Sequence, residues 1–164
     1  MNVNHVLVER LAGILTSRSA HITVAESCTG GWIAKTLTDV PGSSEWFEYG
    51  FVSYGNNAKL KLLNIDPVLL DEYGAVSSQV AVAMVYGALE YSGADLGLAV
   101  TGIAGPDGGT PDKPVGTVWL AWELRGHAPD SECHQFDGDR DTVRRLSVTT
   151  ALRGVLGYLE QIGG

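Results

Sequence analysis

Between residues 3 and 15, Val6, Leu7, Leu11 and Ile14 recur at helical spacing, which predicts a helix with one apolar face. Ile22-Thr23-Val24-Ala25 reads as a short strand, and the Ser, Thr and paired Gly after it lead into a helical stretch around Trp32 to Leu37. Phe47 to Tyr54 is aromatic and β-branched and predicts a second strand, followed by helical stretches over Asn57 to Leu63 and Pro67 to Glu72. From a cap at Ser77 or Ser78 to a stop at Gly93, Val80, Val82, Ala83, Met84, Ala88 and Leu89 nearly encircle a long helix, the pattern of one buried on more than one side. Leu96 to Val100 and Val115 to Leu124 predict two more strands, and Glu132 to Phe136 returns beside the second as a hairpin across Gly126 to Pro129. A final helix runs from Arg140 to Leu159 with Asp139 as its cap.

Early alternation of strand and helix with a late hairpin predicts an α/β fold, a three-layer α/β/α arrangement with a mixed central sheet in a single domain over 1–164. No repeat or proline-rich linker divides the chain, and its densest Gly/Pro stretch, Gly102 to Pro114, lies between two apolar segments as a loop inside one domain would. The polar loops of such a sheet gather at one edge, where a site is expected.

Composition narrows the partners. The chain has 164 residues, 45% of them hydrophobic, enough for one sizeable core. Its 11 Lys and Arg against 19 Asp and Glu leave a net charge of −8, which disfavours a nucleic-acid partner. No apolar run approaches the roughly 20 residues of a membrane span, and Met1 to Arg10 lacks the apolar centre of a signal peptide, so no membrane partner and a cytoplasmic location are expected. Cys28 and Cys133 are too few for a disulfide framework and have no partners at zinc-like spacing, so no metal is expected.

Candidate chemistry concentrates in Glu26-Ser27-Cys28-Thr29-Gly30-Gly31, which sets a serine at a strand end and two glycines where a helix begins. Backbone N–H groups there can face an anion or a developing oxyanion, although an ordinary helix cap explains the same spacing equally well. Ser27 as nucleophile needs a base; His5, His21, His127 and His134 lie in peripheral or strand segments, which leaves lysine. Lys59 follows the strand ending Ser53-Tyr54-Gly55 and could return to the same sheet edge, with the Tyr54 hydroxyl relaying or orienting a proton; a solvated helix face is the other explanation. Thr101 and Gly102 open a glycine-rich loop directly after a buried strand, either a substrate-hugging loop or a connector. Arg140, at a helix start beside Arg144 and Arg145, could bind a phosphate or carboxylate through its fork, or simply join ion pairs along the helix. Cys28 ranks below Ser27 as nucleophile, because a small buried thiol is the commoner state.

The ordered set Ala25 to Gly31, Asp39-Val40-Pro41-Gly42-Ser43-Ser44, Tyr54-Gly55-Asn56-Asn57-Ala58-Lys59, Gly74-Ala75-Val76-Ser77, Ala99 to Gly109, Lys113 to Val118 and Gly138-Asp139-Arg140 resembles the CinA C-terminal domain family, whose stand-alone members include nicotinamide-nucleotide amidases. The match runs from about Thr23 to Leu156. The resemblance implies hydrolysis of the carboxamide of nicotinamide mononucleotide to nicotinic acid mononucleotide and ammonia, in pyridine-nucleotide salvage, with no metal or organic cofactor. On matching positions, Ser27 would be nucleophile, Lys59 its base and Tyr54 a support for proton transfer, while Thr101 and Arg140 would position substrate. N–H donors around Gly30 and Gly31 are expected to stabilise the oxyanion, and Thr29, Gly30, Gly31 and Gly102 to line the substrate site. A non-catalytic nucleotide-binding member, or an amidase for another small amide, is the alternative. The family resemblance, with Trp46, Phe47 and Trp122 as exposed apolar candidates, also implies a homodimer.

Overall fold

The structure, a computed structural model, describes residues 2–163. Helix α1 (Val3–Ser17) starts at Asn2, whose side chain accepts from the Asn4 N–H at 3.0 Å. It is followed by strand β1 (Ile22–Glu26), helix α2 (Trp32–Thr38), a 3₁₀ turn (Ser43–Glu45) and strand β2 (Phe47–Val52). Helices α3 (Asn56–Leu63), α4 (Pro67–Tyr73) and α5 (Ser78–Ser92) come next, then strands β3 (Leu96–Gly102), β4 (Thr117–Leu124) and β5 (Asp130–Gln135), and helix α6 (Arg140–Gly163). The expected caps are in place. Ser77 accepts from the Val80 N–H, Asp139 accepts from the Thr142 N–H, and Gly93 ends α5 in the left-handed conformation.

The strands form one sheet in the order β2-β1-β3-β4-β5, with β1 parallel to β2 and β3 and the last two pairs antiparallel. The mixed sheet and three-layer α/β arrangement therefore follow the sequence pattern. The two faces differ in side-chain size, and that difference sets the layers. Val24, Leu98, Val100, Leu120 and Trp122 point to the α1, α2 and α6 side, where they join Leu11, Ile33, Leu37, Leu152 and Val155 in the larger core. Small residues face α5: Ala25, Gly97, Ala99 and Ala121 let the helix settle close to the strands, and a Cβ at Gly97 would press on Val85 and Leu89. Gly87 does the same between helices, since a Cβ there would overlap the Leu63 carbonyl at the end of α3. That close approach fixes α3, and with it Lys59, against the back of α5.

Two expectations about surface and boundary need correction. Trp46 and Trp122 are buried and Phe47 is half-buried, so they supply no exposed apolar surface for a partner. For Trp122 the cause is strand alternation, which puts it on the same face as Val118 and Leu120, with its ring against Gly154 of α6. The second strand ends at Val52, and Tyr54 lies in the loop beyond it.

Candidate active site

Because β1, β2 and β3 run parallel, the chain leaves all three at the same edge of the sheet. β4 enters and β5 exits there too, which brings the start of α6 to the same place. Main-chain bonds tie these exits together: the Ser27 N–H donates to the Val100 carbonyl at 3.0 Å and the Ser53 N–H to the Glu26 carbonyl at 2.8 Å. A cavity of about 270 Å³ opens over this junction, with Ser27 and Lys59 in its lining, the β3–β4 loop on one wall and Tyr54 and Arg140 on another.

Lys59 is on α3 but only 1% exposed. Its Nζ lies 2.9 Å from Ser27 Oγ, 2.9 Å from the Ser53 carbonyl and 3.0 Å from the Tyr54 carbonyl. No carboxylate pairs with it among the described residues, and burial pulls the amine down from 10.5 to about 8. Three neighbours suit both protonation states. As an ammonium, Nζ donates to all three oxygens while the Ser27 hydroxyl can turn to the Tyr54 carbonyl at 3.3 Å. As a neutral amine, it donates to the two carbonyls and offers its lone pair to the Ser27 O–H. The second state is a serine hydroxyl facing a base.

The segment after Ser27 is organised by a residue absent from the expected site. Glu26 is buried, and its carboxylate accepts from the Thr29 hydroxyl at 2.6 Å, the Ile33 N–H at 2.8 Å and the Ala34 N–H at 2.9 Å. It therefore caps α2, whose N-cap residue Gly31 has no side chain to do so. The Gly30 N–H is also taken, by the Ser27 carbonyl at 3.1 Å. Thr29, Gly30 and Gly31 are not among the residues that line the cavity, and the Ile33 and Ala34 N–H groups at the start of α2 go to Glu26. The Cys28 N–H, next to the serine, meets no oxygen acceptor among the described residues, only the sulfur of its own side chain, and Cys28 does line the cavity. Its thiol is buried and pushed up to about 12, chiefly by desolvation, which leaves it protonated and a poor nucleophile. Arg144 holds the loop from outside, donating to the Cys28 carbonyl at 3.1 Å and the Thr29 carbonyl at 3.2 Å with its guanidinium 5.5 Å from the Trp32 ring centre.

At the mouth, Arg140 donates to the Gly105 carbonyl at 2.8 Å and to the Tyr54 hydroxyl at 2.9 Å. The Tyr54 side chain is 55% exposed and its hydroxyl turns to Arg140, while the main-chain carbonyl of the same residue reaches Lys59. Thr101 is buried in the lining, but its hydroxyl donates to the Ala75 carbonyl at 2.9 Å and so anchors the loop before α5. Gly102 lines the cavity, and β4 leaves no room for a side chain there: a Cβ would meet the Val118 side chain at 2.7 Å. Among the described residues no cluster of His, Cys, Asp or Glu could hold a metal ion, and no helix is long and apolar enough to cross a membrane.

The chain that brings this serine and lysine together also carries a known sequence pattern: the CinA C-terminal domain model matches residues 4–159. The chain belongs to the CinA C-terminal domain family. It is 55% identical over 150 residues to the nicotinamide-nucleotide amidohydrolase PncC of Pseudomonas putida, covering 92% of this chain and 93% of that protein. The PncC of Escherichia coli K12 is 50% identical over 149 residues, covering 90% and 89%. Among solved structures, the competence/damage inducible protein CihA of Agrobacterium tumefaciens superposes with a TM-score of 0.92 at 40% identity, covering 96% of each chain. For this member of the CinA family, the structure gathers Ser27, Lys59, Tyr54, Thr101, Gly102 and Arg140 around one cavity and leaves Thr29, Gly30 and Gly31 outside it. Asn56 and Asp107 also line the cavity; both stand in the motifs quoted above, and their polar side chains in loop or helix-start positions were the available signal.

Proposed function

We propose that this chain hydrolyses the carboxamide of nicotinamide mononucleotide to nicotinic acid mononucleotide and ammonia, with Ser27 as nucleophile and Lys59 as base. The 2.9 Å contact between Ser27 Oγ and a buried lysine amine lowered to about 8 carries the reading. The names of near full-length relatives at 50% and 55% identity supply the substrate.

In the first half-reaction Ser27 Oγ bonds to the amide carbon as its proton passes to the neutral Lys59 amine, and the carbonyl electron pair moves onto oxygen. The Cys28 N–H, beside Ser27 at the cavity, donates to that oxyanion, whose formation is the dominant barrier for an unreactive amide. Collapse breaks the C–N bond, and the Lys59 ammonium returns the proton to the departing nitrogen, releasing ammonia. Water then attacks the acyl-serine ester while Lys59 takes its proton and passes one back to Ser27. Arg140 receives the phosphate at the mouth, where its fork is already oriented by Gly105 and Tyr54. Tyr54 acts through Arg140 rather than on the transferred proton. Thr101 and Gly102 shape the wall, and Glu26 caps α2 through the Ile33 and Ala34 N–H groups. A cytoplasmic homodimer completes the proposal.

Ammonia and nicotinic acid mononucleotide release, measured for the native chain, Ser27→Ala and Cys28→Ala, tests the reading. Turnover is expected in the native chain and Cys28→Ala and is expected to vanish in Ser27→Ala. A native chain that binds the nucleotide without releasing ammonia would overturn the amidase, and turnover surviving Ser27→Ala would overturn the nucleophile.

A further inference from the structure

Most polar side chains lining the cavity are already engaged. Ser27 and Lys59 hold each other, Thr101 is bonded to the Ala75 carbonyl, and Tyr54 and Arg140 form a bridge to Gly105. Two are uncommitted: Asn56 and Asp107 line the cavity without a side-chain hydrogen bond or ion pair among the described residues. Asp107 is the one carboxylate among the described lining residues. It sits between Gly105 and Gly108, whose positive φ values of 83° and 96° curl the loop. The loop is pinned at its base, with the Ile103 N–H on the Thr117 carbonyl at 2.9 Å and the Gly116 N–H on the Ile103 carbonyl at 2.8 Å. The carboxylate is therefore carried on a braced turn whose Gly105 carbonyl also orients Arg140, yet it forms no ion pair with that arginine.

An ionised carboxylate only accepts hydrogen bonds, so its complement is a donor-rich part of the ligand. On the amidase reading, on which this step rests, the carboxamide occupies Ser27 and the phosphate occupies Arg140. Between them remain the pyridinium ring, which is cationic but has no hydrogen-bond donor of its own, and the ribose, whose two vicinal hydroxyls are donors. A phosphate near Asp107 would be repelled, which keeps the nucleotide in one orientation. We propose that Asp107 recognises the sugar of the substrate by accepting hydrogen bonds from its 2′ and 3′ hydroxyls, making the enzyme selective for ribonucleotides.

Binding and turnover together test this. Calorimetric titration of the turnover-silent Ser27→Ala protein with nicotinamide mononucleotide and its 2′-deoxy and 3′-deoxy analogues reads the sugar contacts, with and without Asp107→Ala or Asp107→Asn. Loss of a hydroxyl is expected to weaken binding about 10- to 100-fold when Asp107 is present, the range for a hydrogen bond to a charged group. In Asp107→Ala the parent nucleotide should bind as weakly as its deoxy analogues, and the discrimination should disappear. Asp107→Asn, which keeps one acceptor oxygen, should restore part of it. Equal losses for ribo and deoxy ligands would mean that the carboxylate answers a charge elsewhere in the nucleotide, and would overturn the sugar contact. So would unchanged binding in Asp107→Ala, or absence of binding by all three ligands in the Ser27→Ala protein. Ammonia release by the native chain judges the amidase separately, since hydroxyl discrimination without release would leave Asp107 in its role and remove the chemistry. Asp107 is exposed and makes no side-chain hydrogen bond among the described residues, so both variants are expected to melt at the temperature of the parent protein.

Discussion

A buried base fixes the pH at which the enzyme works, and the magnitude follows from Lys59. With the amine at about 8, the neutral fraction is about 1% at pH 6, about 9% at pH 7 and about 90% at pH 9. At the ordinary 10.5, the fraction at pH 7 would be about 0.03%. The kcat/KM of the native chain should therefore rise nearly tenfold per pH unit up to about 7.5, bend near 8 and level off by 9. The perturbation is Lys59→Arg, which preserves a cation but holds its proton throughout this range, and about a 10²- to 10⁴-fold loss is expected. Initial rates of ammonia release between pH 6.5 and 9.5 give the profile while staying above the second phosphate ionisation of the substrate, near 6. The same burial sets a stability trend. The folded amine has the lower pKa, so the unfolded chain binds more protons between about 8 and 10.5, and stability rises with pH through that window by at most about 3 kcal/mol. Below 8 the full cost of burying the charge is present. A flat rate profile, a bend at 10 or above, or substantial activity in Lys59→Arg would refute the desolvated-base mechanism.

Other substitutions separate the roles of neighbouring groups. Tyr54→Phe removes the hydroxyl bonded to Arg140, so KM should rise about 3- to 10-fold with kcat and its pH profile unchanged; a large fall in kcat would return Tyr54 to proton transfer. Glu26→Gln leaves the Thr29 hydroxyl and two helix N–H groups sharing one neutral acceptor, and thermal unfolding should move down by about 4–12 °C, corresponding to about 2–3 kcal/mol. Gly154→Ala would push a methyl into the Trp122 ring and should cost about 1–3 kcal/mol in denaturant titration while leaving KM unchanged, because that contact lies on the opposite face of the sheet from Lys59.

Much of this arrangement is written in local patterns. Alternation in β3 and β4, the spacing in α5 and the caps at Ser77 and Asp139 are readable because each depends on neighbours within a few residues. Ser27 and Lys59 were visible as residue types at promising positions, but their contact depends on α3 settling against Gly87, a packing event 28 residues downstream of Lys59. Glu26 was missed for a related reason. Helix caps are sought at the first residue of the helix, whereas this one arrives from the strand before it and bridges to Ile33 and Ala34. Tyr54 shows the limit of residue-type reasoning: its hydroxyl suggested proton transfer, yet the group that reaches the lysine is its carbonyl. Trp46 and Trp122 look like surface aromatics by size and polarity, but strand parity and a glycine on α6 give the latter a place inside.

The position of β2 at the margin of the sheet has a thermal consequence. It pairs with β1 on one side and with no strand on the other among the described residues, and the chain just beyond it supplies both carbonyls that hold the Lys59 amine. Strand margins open more readily than sheet centres. When this one frays, water reaches the amine, its basicity returns to that of an ordinary lysine and the neutral fraction falls, although the cores on both faces of the sheet remain packed. Activity is therefore expected to fall reversibly on warming as β2 frays, at temperatures below the global melting seen by circular dichroism.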